Sequence, residues 1–135
     1  MSTTPLETRV RSADGGVAVI GLTGDVTAAC EPELMDAYRE AGRAEAGGIV
    51  LDFSGLDYMN SSGIGLLVTL LVRAKREGRQ LSAYGLSDHY RQIFELTRLD
   101  EVISVHDEEE QAVAAARARP VSPPSVLPGQ RGPGG

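Results

Sequence analysis

Tryptophan is absent and aromatic residues make up only 4% of the 135-residue chain. Any core must therefore be built from Val, Ile, Leu and Ala. Cysteine occurs once, at Cys30, which excludes an internal disulfide and a cysteine-rich metal site. The only histidines are His89 and His106, too few and too far apart for a metal site of standard spacing. Lysine also occurs once, at Lys75, and Asp plus Glu outnumber Lys plus Arg by 19 to 13, a formal net charge of -6. Phosphate contacts need clustered Lys and Arg, so this balance predicts no nucleic acid among the partners. Long apolar runs are missing too. The longest, Ile64 to Val72, is interrupted by Gly65 and Thr69 and ends at Arg73. That is well short of the ~20 residues a bilayer demands, and predicts no membrane insertion. Positions 1–20 mix scattered charges with no continuous apolar stretch, so no signal peptide and a cytoplasmic protein are expected.

What is present is alternation of strand and helix patterns. Leu6, Thr8 and Val10 share one face, and Glu7, Arg9 and Arg11 the other, the period of a strand with one wet side. Asp14-Gly15-Gly16 signals a turn, and Val17 to Leu22 forms the return strand of a hairpin, broken by Gly24-Asp25. Pro32 suits the first position of a helix in which Leu34, Tyr38 and Ala41 recur at helical spacing, stopped by Gly47-Gly48. Ile49 to Phe53 reads as a buried central strand. After a loop from Ser54 to Asn60, the stretch Ile64 to Glu77 is apolar almost all round at first, which predicts a largely buried helix. Arg73, Lys75, Arg76 and Arg79 gather at its end, where the helix dipole favours cations, and Gly78 caps it. Leu81 to Tyr84 is a strand. Ser87 or Asp88 caps a helix expected to turn Ile93, Phe94, Leu96 and Thr97 inward. Val102 to Val105 is a last strand and Asp107 to Arg117 a last helix, acidic at its start.

The order β-β-α-β-α-β-α-β-α predicts a single α/β domain, with a mostly parallel sheet, an N-terminal β-hairpin and about four helices. The domain is expected over residues 6–117, after an N-terminal extension over 1–5. Residues 118–135 are rich in Pro and Gly and poor in large apolar groups. Such a stretch cannot bury enough surface to offset the entropy of ordering it, and a disordered tail is expected.

Several familiar chemistries fail on inspection. Gly63-x-Gly65 lies where a dinucleotide motif would, but Val68 occupies the third glycine position and no Walker lysine follows. Close approach of a helix start to a strand explains these glycines better. A nucleophile elbow around Ser62 would need glycine where Asn60 stands, and neither histidine has a partner for a dyad. A small serine hydrolase using Ser61 or Ser62 is therefore the last-ranked function. Glu31 beside Cys30 opposes a reactive thiolate and favours a packing role. Ser61 and Ser62 themselves admit two readings. A serine before an apolar helical run is ordinarily an N-cap. Alternatively, one hydroxyl is a covalent switch, because a helix N-terminus tolerates a phosphate and the phosphate adds about -1.5 to -2 charge.

The stretch from Leu51 to Leu67, LDFSGLDYMNSSGIGLL, resembles the signature of STAS domains, in particular bacterial anti-sigma factor antagonists. Gly24-Asp25, Pro32-Glu33-Leu34 and Leu96-Thr97-Arg98-Leu99-Asp100 resemble the family's flanking pattern in the same order, over Leu6 to Arg117. The resemblance implies a non-enzymatic regulator of transcription in a stress response, with no cofactor of its own. Its partner would be an anti-sigma factor, a serine kinase that carries the ATP. Binding would free the sigma factor, phosphorylation of Ser61 would end binding, and a serine phosphatase would reverse it. On the same basis Asp25, Asn60, Ser61, Ser62 and Gly63 are expected at the partner surface, with Ser62 the runner-up phosphorylation site. The sequence departs from the family pattern at Asn60, where an Asp usually precedes the serine. A STAS scaffold subunit in a sensory or transport assembly is the alternative.

Overall fold

The computed structural model describes residues 4–13, 15–43 and 47–117. Asp14 of the expected turn, residues 1–3 of the expected extension and the expected tail at 118–135 lie outside them. Five strands and four helices follow in the expected order: β1 (Glu7–Ala13), β2 (Val17–Val26), α1 (Glu31–Arg43), β3 (Gly48–Met59), α2 (Ser61–Arg76), β4 (Gln80–Tyr84), α3 (Asp88–Leu96), β5 (Ser104–His106) and α4 (Glu109–Arg117). Short 3₁₀ turns at Ala28–Cys30 and Leu99–Glu101 lead into α1 and β5.

The strands line up in the sheet in chain order, β1-β2-β3-β4-β5. β1 pairs antiparallel with β2, and every later pair is parallel. Crossovers between parallel neighbours are right-handed, and here all three step the same way across the sheet. They must therefore lay α1, α2 and α3 on one face. That face carries the main core: Ile20 and Leu22 of β2, Ile49, Leu51 and Phe53 of β3, and Leu34, Tyr38, Leu67, Leu70 and Phe94 of the three helices. Phe53 and Phe94 meet edge to face, with ring centroids 6.0 Å apart. Only α4 follows the last strand, and it covers the opposite face, where Val17, Val19 and Val50 meet Ala112, Val113 and Ala116. Buried Ser82 satisfies its hydroxyl there by donating to the Ala112 carbonyl at 2.6 Å. Gly48 is required at this contact, since a Cβ would run into the Ala116 backbone.

The structure departs from the sequence reading where β2 and β3 end. Neither breaks at its glycine. β2 continues through Gly24-Asp25 to Val26, and β3 through Ser54-Gly55 to Met59, still paired as Asp25 with Tyr58 and Val26 with Met59. Register shifts between Gly21 and Thr23 and between Gly24 and Asp25 absorb the irregularity. Gly24 does so at φ 105°, a conformation other residues rarely adopt. The described structure also makes a sheet contact before Leu6: Asp25 N–H donates to the Thr4 carbonyl at 3.1 Å. In α3, only Phe94 is buried among the four residues expected to face inward; Leu96 is 83% exposed because the helix ends there. α2 is not buried all round either, since Val68 and Val72 lie open on its outer side.

Candidate functional site

The paired ends of β2 and β3 deliver the chain to the start of α2 at the C-terminal edge of the sheet. Asn60 leaves β3 in extended conformation and its N–H donates to the Val26 carbonyl at 3.3 Å. Its side-chain Oδ1 then accepts the Gly63 N–H at 2.9 Å. Asn60 is thus the N-cap, which corrects the expectation that Ser61 or Ser62 would be. The cap belongs to the residue whose backbone is still extended, and Ser61 is already helical.

Ser61 and Ser62 are the first two residues of α2, and both are exposed. Neither hydroxyl has a hydrogen-bond partner among the described residues. The N–H groups of a helix's first turn have no partner within the helix, and among the described residues only that of Gly63 is taken by a side chain. No acidic residue lies in the first turn, so the positive end of the dipole is uncompensated. Behind the serines the platform is rigid. Gly63 is buried so closely against β2 that a Cβ would overlap the Val26 carbonyl oxygen. Leu67, Leu70, Leu71 and Ala74 follow it into the core at helical spacing. Gly65, by contrast, faces open space. On the third side, the Tyr90 hydroxyl of α3 accepts the Met59 N–H at 2.9 Å.

Asp25 reaches the same edge, as the register partner of Tyr58. It is 9% exposed, and its Oδ2 accepts the Thr4 N–H at 3.1 Å. With the reciprocal backbone bond, this ties the start of the chain to β2. The carboxylate therefore has a structural task that its position in the sequence did not suggest. Tyr58, 49% exposed beside the serines, was not singled out by sequence. Strand alternation could have found it, since Met59 points inward and its neighbour must point out. Cys30 is buried, its N–H donating to the Thr27 carbonyl at 3.1 Å, and burial pushes its thiol up, which fits a packing role. The histidines stand elsewhere: His89 lies edge-on to the Tyr90 ring, and His106 contacts Ser104 on β5 at 3.0 Å. Among the described residues neither bonds to Ser61 or Ser62.

This arrangement can present a hydroxyl on a fixed, uncharged, cationically polarised turn. Among the described residues no histidine or carboxylate bonds to that hydroxyl. A family model described as "Mlab, STAS domain" matches residues 10–105. An anti-sigma-B factor antagonist of Listeria monocytogenes is 27% identical over 90 residues, which span 67% of this chain and 79% of that protein. The crystal structure of an anti-sigma factor antagonist from Mycobacterium paratuberculosis superposes with a TM-score of 0.71 at 22% identity, covering 83% of this chain and 94% of that one. Unphosphorylated SpoIIAA, an anti-sigma factor antagonist, superposes with a TM-score of 0.64 at 19% identity, covering 83% and 99%. The Bacillus cell fate determinant SpoIIAA in its phosphorylated form gives 0.61 at 20% identity, covering 80% and 97%. At such identities the structural likeness is one of fold.

Proposed function

The chain belongs to the STAS domain family, and from that premise we propose that it is an anti-sigma factor antagonist switched by phosphorylation of Ser61. It binds an anti-sigma factor serine kinase at the edge where Ser61 and Ser62 are exposed, with Asp25, Asn60 and Gly63 holding that edge in place. Binding releases the sigma factor. The chain itself catalyses nothing and needs no cofactor; ATP belongs to the kinase, and a serine phosphatase restores the binding form.

The observation that carries this reading is the exposed Ser61 on the first turn of a helix seated by Asn60 and Gly63. An unmodified serine is small and neutral, so a partner closes over it at little desolvation cost. A phosphoryl group is compatible with the fold, because it meets free N–H groups and the positive end of the dipole. The same group under a closed partner is a buried charge without a counter-ion, and costs about 2–5 kcal/mol in binding. Asn60 in place of an acidic residue leaves the turn uncharged, so the switch rests on the phosphate alone. SpoIIAA, whose fold the chain shares, is known in both unphosphorylated and phosphorylated forms, which fits a fold that accepts the modification. The test is to capture the partner from cell extract on the immobilised unmodified chain, add ATP, and locate phosphate by mass spectrometry. Phosphate on Ser61 with release of the partner is expected. Capture without any phosphate on Ser61 or Ser62 would remove the switch.

A further inference from the structure

Three large apolar side chains that the fold leaves open converge on one groove: Val68 and Val72 of α2, 41% and 50% exposed, and Val102 after the second 3₁₀ turn, 52% exposed. The groove, of about 450 Å³, runs between the C-terminal half of α2 and the Leu99–Val102 turn, with Leu71, Leu81 and Leu99 deeper in it. Val68, Val72 and Lys75 follow one another at spacings of four and three residues, so they share one face of the helix. The facing wall is a fixed turn. Arg98 follows the end of α3 in the left-handed conformation at φ 61°, where glycine is usual. The Val102 and Ile103 N–H groups then donate to the Leu99 carbonyl at 3.1 and 2.9 Å. An apolar strip with a charged rim is the build of a protein contact.

The rim decides what fits. Lys75, the chain's only lysine, stands on the α2 wall, and Asp100 and Glu101 stand on the other. Among the described residues neither Lys75 nor Asp100 has an ion pair. Glu101 pairs with Arg98 at 3.4 Å, an exposed contact worth little. Arg79 also lines the groove, but Tyr38 and Glu77 of its own chain engage it, and it takes no part here. A groove with a cation on one wall, acids on the other and valines on both is complementary to itself. In an isologous pair the same patch serves both copies, and each contact is made reciprocally. A two-fold axis along the groove exchanges its walls, so α2 of each copy lies against the Leu99–Val102 turn of the other. Val68 and Val72 then meet Val102 of the second copy, and Lys75 meets its Asp100 and Glu101, twice over. The net charge of -6 repels two copies that approach at random, so association needs a face that brings opposite charges together.

We infer that this groove is a homodimer contact, in which two copies of the chain pair through α2 and the Leu99–Val102 turn. The contact requires no phosphate on Ser61, and Val68 lies about 10 Å from that residue along the helix. Three valines and one groove make a small interface, so association in the micromolar to millimolar range is expected. The test is sedimentation equilibrium of the full-length unmodified protein from about 10 μM to about 1 mM. The mass should rise with concentration toward twice that of one chain, and less so at high salt. Val72→Asp buries a charge in the contact and should weaken association by about 10-fold or more. Lys75→Glu and Asp100→Lys should each do the same alone, because like charges then face one another at both ends of the contact. Mixed one to one, these two variants should associate again, since each supplies the charge that the other has lost. All three should keep the circular dichroism of the natural chain. A protein that stays monomeric at every concentration would overturn the inference and leave the groove to residues 118–135 or to a different protein. Association unchanged by Lys75→Glu, or no recovery on mixing Lys75→Glu with Asp100→Lys, would overturn it equally.

Discussion

The two ends of α2 are built on opposite plans. At its N-terminus the sequence spends no charge: Asn60, Ser61, Ser62 and Gly63 cap, expose and seat the helix with neutral groups. At its C-terminus Arg73, Lys75 and Arg76 crowd the last turn, and a Tyr38–Glu77–Arg79 network binds it to α1. Dipole compensation alone would put acids at one end and bases at the other. Only the second half of that rule is obeyed. An end left uncompensated is one where an added anion has most to gain, and this is the end that presents free hydroxyls. The contrast teaches that the Ser61 edge is built by omission of charge, and the opposite edge by its accumulation.

Substitutions at each end sharpen the contrast. The largest folding effect should come from Gly63→Ala, which forces a methyl into the Val26 carbonyl and should cost about 3 kcal/mol in urea unfolding. Gly65→Ala, two residues on and in open space, should do the reverse and stabilise by up to about 1 kcal/mol, the helix propensity difference. Equal effects at both positions would mean that contact with β2 does not seat the helix. Asn60→Ala should cost about 1 kcal/mol as the lost cap, whereas Ser61→Ala should leave stability nearly unchanged. A larger loss from Ser61→Ala than from Asn60→Ala would reassign the cap. At the charged end, Tyr38→Phe keeps the ring and removes one bridging hydroxyl, so about 1 kcal/mol or less is expected in the same assay.

The smallest effect is a pH dependence. The Tyr38 hydroxyl, with Arg79 and Arg73, lowers the Glu77 carboxyl below its ordinary value of 4.5. A depressed carboxyl stabilises the fold above its unfolded value and loses that contribution as pH falls through the folded one. The stability gap between the natural protein and Glu77→Gln should therefore be constant above about pH 4.5 and close below it. Denaturation curves that stay parallel from pH 7 to pH 3 would show that Glu77 is not engaged.

Much of this was legible in the sequence. Alternation in β1, the apolar runs of β2 and β3 and the helical spacing of Leu34, Tyr38 and Ala41 identify elements in the right order, because each buries one face against the sheet. The strand ends were not legible. Gly24-Asp25 and Ser54-Gly55 carry turn-forming residues, but β2 and β3 bulge together and keep pairing past them. Tertiary pairing overrode local preference there. The position of Ser61 was legible, since it precedes an apolar helical run. Its cap was not, because Asn60, Ser61 and Ser62 are all good caps and only backbone conformation separates them. The valine groove was invisible for another reason. Val68 and Val72 lie thirty residues or more from Val102, and in a helix apolar almost all round they read as core until packing against the sheet turns them outward.

The central claim is that charge on Ser61, and not its side-chain bulk or a loss of fold, ends partner binding. The direct measurement is calorimetric titration of the captured anti-sigma factor with three forms of the chain: unmodified, phosphorylated at Ser61, and Ser61→Ala. Unmodified and Ser61→Ala protein should bind within a few-fold of each other. The phosphorylated form should bind roughly 30-fold to several-thousand-fold more weakly, the equivalent of about 2–5 kcal/mol, with its unfolding midpoint unchanged. Equal affinity for all three forms would contradict the account.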